Sequence, residues 1–275
     1  MRLLIMTDIH ANAPALLAVL KEAQSRGAQG YISLGDQINF GPSPRETMAL
    51  LHDWNVRLLL GNHEERILRM RAGEQALFTD YNWSMLRWTA GQVGEFDMDY
   101  PAQWRQENML LTHAVPGSLN TLVTPKDKGV MEDILVGLDA QWLVCGHNHT
   151  PWQYRLGDKQ FVNPGSLGML EDGRGSRAAY AMWEDGQVQV YETAYDPSGL
   201  KRAFVESGLA DAAPEMARVT LETMLWGQPW CWIEHIQDTA REAGISWQGR
   251  EAFRLAAESY AWAEDMSCQR FWMMP

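Results

Sequence analysis

Asp, Asn and His side chains fall in this chain in five short blocks, and five of its seven histidines lie within them. The blocks read Asp8-Ile9-His10, Gly35-Asp36, Gly61-Asn62-His63-Glu64, His113 alone, and Gly146-His147-Asn148-His149. Carboxylate, amide and imidazole donors with no thiolate among them are what hard or borderline divalent cations take. A histidine by itself is more often a core or surface residue, and that reading stands for His52 and His235, which lie outside any block. For the other five the joint pattern overturns it. Each block follows an apolar run: Leu3-Leu4-Ile5-Met6, Tyr31-Ile32-Ser33-Leu34, Val56-Arg57-Leu58-Leu59-Leu60, Met109-Leu110-Leu111-Thr112 and Trp142-Leu143-Val144-Cys145. The carboxyl ends of strands are where open α/β sheets hold their ligands, so the pattern points to a metal site.

The elements that must position these blocks are legible from periodicity. A strand at 2–7 leads into a helix at 13–26, with Leu16, Leu17, Val19 and Leu20 as its apolar face. A strand at 30–34, a helix at 44–53, a strand at 56–60 and a helix at 63–72 continue the alternation. Such alternation implies parallel pairing with right-handed crossovers. Residues 73–107 read as an insertion of poor strand character, helical from Asn82 to Thr89. Its Phe78, Tyr81, Trp83, Trp88 and Trp104 serve as packing or as the wall of a pocket. A strand at 108–112, a helix at 127–137 and a strand at 141–145 complete the parallel half, and short β segments follow at 151–156, 160–163, 177–183 and 186–193. Gly157-Asp158 and Asp185-Gly186 are hairpin turn signals. The expected fold is α/β, a two-sheet sandwich flanked by helices in four layers. Asp196-Pro197-Ser198-Gly199 reads as a boundary between a domain at 1–196 and a helical extension at 197–275, with candidate helices at 214–226, 230–243 and 248–265. Six of the thirteen tryptophans lie after residue 225. The extension is expected to pack on the core, with an interface to a partner or a second copy as the alternative.

A net charge of −12 argues against an electrostatic grip on long nucleic acid, which needs basic surface. It does not exclude small phosphate esters, because bound cations reverse the local field. Cys145, Cys231 and Cys268 are odd in number and unpatterned. They read as small apolar filler in a reducing cytoplasm rather than as a disulfide framework. The first residues enter a strand directly with no signal-peptide pattern, and no apolar run approaches the ~18 residues that span a bilayer. A cytoplasmic location is expected, with no membrane partner.

Taken in order, the blocks spell D-x-H, GD, GNH[DE], H and GHxH, and over residues 1–196 the chain resembles the calcineurin-like metallophosphoesterase superfamily. The stretches Asp8-Ile9-His10-Ala11-Asn12, Gly35-Asp36-Gln37-Ile38-Asn39-Phe40-Gly41-Pro42 and Asn163-Pro164-Gly165-Ser166-Leu167-Gly168 resemble its compact bacterial branch. The resemblance implies that Asp8, His10 and His149 hold one metal, Asn62, His113 and His147 a second, and that Asp36 bridges them. It implies that His63 is not a ligand but hydrogen-bonds the phosphate or protonates the leaving group, and that Glu64 orients a histidine. Asn12 and Asn39 would donate to phosphate or support the ligands. Asn82 and the Trp88-Thr89 pair match residues that recur in that branch, which makes Asn82 a candidate substrate contact. The backbone at Gly165-Ser166 would support the site.

Two divalent ions about 3.5–4 Å apart can neutralise a phosphate ester, make a hydroxide at neutral pH and hold attacking and leaving oxygens in line. Two carboxylates and five neutral ligands leave such a pair net positive, which suits an anionic substrate. The implied cofactors are two divalent ions, Mn or a mixed pair, with Fe, Zn, Co or Ni also compatible with the ligand set. The favoured reading is a binuclear phosphoesterase acting on small phosphodiesters or phosphomonoesters by in-line attack of a metal-bridging hydroxide. A dinucleoside polyphosphate hydrolase, a non-catalytic scaffold of the same fold and a nuclease subunit are the alternatives, and a homo-oligomer through the extension stays open. The protein serine/threonine phosphatases of the superfamily carry an Asp-Arg pair where this chain has Asn39-Phe40, and an Arg where it has Leu60. Protein phosphatase activity is therefore not expected, although Glu64 and Arg66 echo that branch. Ala114 stands where many relatives have Gly.

Overall fold

A computed structural model describes residues 1–94, 96–228 and 232–260. The first sheet is built on three parallel strands, β1 (Leu3–Met6), β2 (Gly30–Ser33) and β3 (Arg57–Leu58). The second is built on β5 (Met109–Thr112), β6 (Trp142–Val144) and β8 (Lys159–Asn163), also mutually parallel. Antiparallel strands extend each sheet. β9 (Arg177–Glu184) and β10 (Gln187–Ala194) flank β1, while β4 (Gln103–Gln106) pairs with β5 and β7 (Trp152–Leu156) with β8. The strand orders are β10-β9-β1-β2-β3 and β4-β5-β6-β8-β7.

Period-two alternation places these sheets. In β1, Leu3 and Ile5 face the second sheet and join Ile32, Leu34, Leu59, Met109, Leu111, Trp142 and Val144 in one apolar layer. Leu4 and Met6 point the other way, into a cluster with Leu16, Val19 and Leu20 of α1 (Ala13–Ser25). On the far side, Leu110, Leu143 and Phe161 pack on Met131 and Leu135 of α6 (Lys128–Gly137). Strand residues alternate between faces, so one sheet supplies both the inter-sheet core and a helix-facing layer. The result is the expected helix-sheet-sheet-helix order.

Helix α2 (Pro44–Asp53) and α3 (Asn62–Arg71) complete the crossovers. The insertion holds α4 (Ala76–Thr79), a 3₁₀ turn at Tyr81–Trp83 and α5 (Ser84–Gln92). The insertion, read as poor in strand character, does hold one strand at its end, β4, whose Trp104 lies under the Arg57 guanidinium at 3.7 Å. Beyond Asp196 come α7 (Leu200–Glu206), α8 (Leu209–Ala212), α9 (Pro214–Trp226), α10 (Trp232–Ala243) and α11 (Arg250–Ser259). Phe204, Met216, Trp232, Ile236 and Phe253 from these helices belong to the same cluster as Leu16 and Leu20. The 173–176 loop is tied to α9 by Gly173 N–H to Gly227 O at 2.9 Å and Ser176 N–H to Met224 O at 3.1 Å. Cys231, Cys268, Trp230, and the helix expected at 248–265 beyond residue 260, lie outside the described residues. No helix among the described residues is long and apolar enough to cross a membrane.

Candidate metal centre

The parallel strands of both sheets deliver their carboxyl ends to one edge, and all five blocks meet there. Asp8 and His10 follow β1, Asp36 follows β2, Asn62 and His63 open α3 after β3, His113 follows β5, and His147 and His149 follow β6. Backbone bonds stitch the loops to each other: Asp8 N–H to Gly35 O, His10 N–H to Asp36 O, and Gly146 N–H to His113 O, at 3.1, 3.0 and 2.7 Å. The loops also carry backbone strain. Asp8, His10, Ala11, Asp36, Asn39, Phe40 and His147 all have positive φ, a conformation that non-glycine residues adopt at a cost and that clusters at functional sites. Two glycines allow the close approach. A Cβ on Gly61 would stand 2.2 Å from Asp36 N, and one on Gly146 would stand 2.0 Å from Thr7 Oγ1.

Three overlapping groups of side chains have ligand atoms within 4.8 Å of one another: Asp8, His10 and His149; His10, Asp36 and His63; and Asp36, His113 and His147. Asp8 Oδ2 is occupied, accepting from Thr7 Oγ1 at 2.8 Å and His147 N at 2.9 Å. Its other oxygen, Oδ1, is buried without a hydrogen-bond partner, with His149 Nε2 at 3.6 Å and His10 Nε2 at 4.0 Å. Asp36 repeats the division. Its Oδ1 accepts from His63 N at 3.0 Å, while Oδ2 stands 3.4 Å from His113 Nε2 and 4.0 Å from His10 Nε2.

The orphaned Asp8 Oδ1 provides the test of fit: a buried carboxylate oxygen with no hydrogen-bond partner among the described residues, facing the Nε2 atoms of His149 and His10. Those two nitrogens lie 3.1 Å apart. The Asn62 amide stands 2.9 Å from His113 Nε2 and 2.9 and 3.2 Å from the Asp36 oxygens, with the Arg66 guanidinium on its other side, and turned over it hydrogen-bonds all three residues. Carboxylate, imidazole and amide donors gathered this closely fit divalent cations.

The electrostatics agree. Burial, then the neighbouring Asp8, pushes the Asp36 carboxyl well above the usual carboxylate range. Burial would raise Asp8 too, but the histidines around it hold it below that range. Burial lowers His113 to about 4 and His147 to about 3, which leaves both rings neutral and able to ligate. Burial would also lower His149, yet the Asp8 and Glu171 carboxylates beside it outweigh that and push it up to about 10.

The remaining sequence candidates divide. Asn39 Nδ2 donates to His63 Nδ1 at 2.7 Å, and its Oδ1 accepts from Thr89 Oγ1 at 3.4 Å. It therefore supports a site residue. Asn12 is corrected as a substrate contact. Its amide accepts from Ala15 N at 3.2 Å as the cap of α1 and donates to Gly168 O at 2.9 Å and Tyr195 Oη at 3.1 Å, so it is fully used in the interior. Glu64 was expected to orient a histidine. Its carboxylate instead gathers the backbone N–H groups of Asp36, Gly61 and Ile38 at 2.9, 3.1 and 3.3 Å, and burial followed by Asp36 pushes it up to about 8. Ser166 accepts from Met169 N and donates to Asp8 O, both at 2.7 Å, the support expected of that loop. Asn82 lines the cavity over the centre, and its Oδ1 is buried without a partner.

Sequence reasoning missed Glu171, whose Oε1 lies 2.7 Å from His149 Nδ1. A carboxylate behind a ligating imidazole fixes its tautomer and strengthens it as a donor, but a lone Glu in a loop gives no spacing signal. Arg66 was read only as an echo of another branch. It lines the cavity, donates to Asn120 Oδ1 at 2.9 Å and lies 5.1 Å from the Trp83 ring centroid.

A family model for the calcineurin-like phosphoesterase superfamily domain matches residues 1–186. The chain is 24% identical to an uncharacterized protein of Methanocaldococcus jannaschii, over 73% of this chain and 89% of that one. It is 25% identical to the phosphodiesterase YfcE of Escherichia coli, over 69% and 91%. A solved metallophosphoesterase from Sphaerobacter thermophilus superposes with a TM-score of 0.65 at 23% identity, covering 82% of this chain and 100% of that one, a likeness of fold.

Proposed function

The chain belongs to the calcineurin-like phosphoesterase superfamily and is a metal-dependent phosphoesterase, and from that premise we propose a binuclear centre that hydrolyses small phosphodiesters or phosphomonoesters. In this reading Asp8, His10 and His149 would hold one ion, Asn62, His113 and His147 the other, and Asp36 would serve both. The gathering of the Asp8, His10 and His149 ligand atoms, and of those of Asp36, His113 and His147, each within 4.8 Å of one another, carries it. When bound, two divalent ions would neutralise the phosphate charge and supply hydroxide at neutral pH for in-line displacement. Mn, or a mixed pair, is the proposed occupant. A phosphodiester substrate is favoured by the likeness to a relative named as a phosphodiesterase.

The chain's own groups supply the rest. Because Asn39 donates to Nδ1, the His63 proton sits on Nε2. Burial and then Arg66 hold this imidazole well below its ordinary pKa, so Nε2–H is a neutral donor to a phosphate or leaving-group oxygen. Phe40 fixes the ring from the side, with centroids 4.6 Å apart. Arg66 lines the cavity, held by Asn120 Oδ1 at 2.9 Å, and it would meet a substrate phosphate oxygen as a fixed positive charge.

The test is hydrolysis of bis-p-nitrophenyl phosphate and p-nitrophenyl phosphate by chelator-stripped protein, with and without Mn²⁺. Restored activity that favours the diester supports the reading, and a preference for the monoester makes the protein a phosphatase. Failure of the protein to take up metal refutes the binuclear centre.

A further inference from the structure

The cavity over the metal centre measures about 480 Å³, within the range of about 300–1,000 Å³ that encloses drug-sized organic ligands. One wall is the centre itself. The rest of the lining includes the uncharged side chains of Trp83 and Met85 from the insertion with Met216, Ile233 and Trp247 from the C-terminal helices and the turn before α11, and Arg66 meets these at the Trp83 ring, 5.1 Å from the centroid. Met216, Ile233 and Trp247 lie beyond residue 186, where the family match ends.

This wall is built in advance. Tyr81 donates its hydroxyl to Glu215, and its N–H bonds Gln248 O at 2.8 Å. Thr220 Oγ1 stands 3.9 Å from Met85 Sδ, and Trp232 Nε1 donates to Met216 Sδ at 3.2 Å. Met85 and Met216 are only 1% and 2% exposed. Insertion and C-terminal helices thus hold each other over the centre. An uncharged surface of indole and thioether groups has nothing to offer a phosphate, but it matches a flat apolar ring. Asn82, on the same cavity, adds one polar atom, the unpartnered Oδ1, which would accept from a donor on such a ring.

We infer that this wall selects the organic part of the substrate: the ester carries an uncharged, ring-sized apolar group with a hydrogen-bond donor, seated between the insertion and the C-terminal helices. The inference rests on the reading that the opposite wall binds the phosphoryl group. Trp247 and Ile233 are then specificity-determining residues.

Calorimetric titration of the Mn²⁺-loaded full chain with inorganic phosphate, ethylphosphonate and benzylphosphonate tests it. These probes share the anionic head and differ in the ring. Benzylphosphonate should bind at least about tenfold more tightly than ethylphosphonate, the gain expected from burying most of one ring. That ratio should fall to about threefold or less in Trp247→Ala, and in Ile233→Trp, which fills the space. A variant that still binds phosphate is folded and loaded, so its ratio can be read. Equal binding of the two phosphonates by the wild-type chain, with phosphate bound, overturns the wall and leaves the phosphoesterase reading intact. An unchanged ratio in both variants also overturns it. Loss of phosphate binding by the loaded wild-type chain overturns both readings together.

Discussion

Replacing Asn39 by Ala removes the hydrogen bond that holds the His63 ring at Nδ1, and its consequence can be worked out. The bond is 2.7 Å long and buried, and Asn39 is itself held by Thr89. A neutral hydrogen bond contributes about 0.5–1.5 kcal/mol net, but leaving its buried nitrogen without a partner costs about 1–3 kcal/mol instead. If that loss falls on the reactive orientation of His63, kcat drops about 10–100-fold, at 1.36 kcal/mol per tenfold. Asn39 touches none of the candidate ligands by hydrogen bond, so metal content should stay at the wild-type level. Asn39→Asp puts an acceptor where Nδ1 needs a donor, draws the ring proton to Nδ1 and should recover none of the lost kcat. The assay is kcat for bis-p-nitrophenyl phosphate with metal content by elemental analysis on the same samples. An Asn39→Ala variant within twofold of wild type, or an Asn39→Asp variant with wild-type kcat, would refute the positioning argument. Metal loss in Asn39→Ala would show that the residue supports the ligands instead.

Asp36→Asn should abolish activity and lower the occupancy of both ions, because one carboxylate oxygen lies between the two groups of ligands. His63→Ala should keep its metal and lose most turnover, and an empty site in that variant would make His63 a ligand. Glu171→Gln removes the charge behind His149 and should weaken metal binding about 10–100-fold, read by competition with a chromogenic chelator. Unchanged affinity there would mean that the 2.7 Å contact does not tune the ligand. Cys145 is 3% exposed, and burial pushes its thiol far above the ordinary range. Its peptide should therefore stay unmodified by iodoacetamide at pH 8 in the folded protein and react only after denaturation, as followed by mass spectrometry.

The ligand blocks were legible in the sequence because each is a short run of unusual residues at the end of an apolar strand, and both signals are local. Strand alternation was legible for the same reason, since Leu3 and Ile5 against Leu4 and Met6 need no partner to declare two faces. What escaped is non-local. β4 reads Gln103-Trp104-Arg105-Gln106, too polar to announce itself, and it exists because the Met109–Thr112 edge needs a hydrogen-bonding neighbour. Glu171 comes to His149 only through the return of the chain after β8. Glu64 kept its place next to the centre but changed its work. At the third residue of a helix whose first turn abuts the Asp36 loop, a carboxylate meets backbone N–H groups before it meets any imidazole. Asn12 was misread for a similar reason: two residues after His10 it stands where α1 begins, and the demand for a helix cap takes its oxygen first. The same logic bears on the cavity. Residues that touch phosphate chemistry are recognisable by type, whereas Met85, Met216, Ile233 and Trp247 look like core in the sequence and become a recognition surface only because two distant segments close over the centre. Substrate choice in this protein is therefore written in residues that carry no chemical signature of their own.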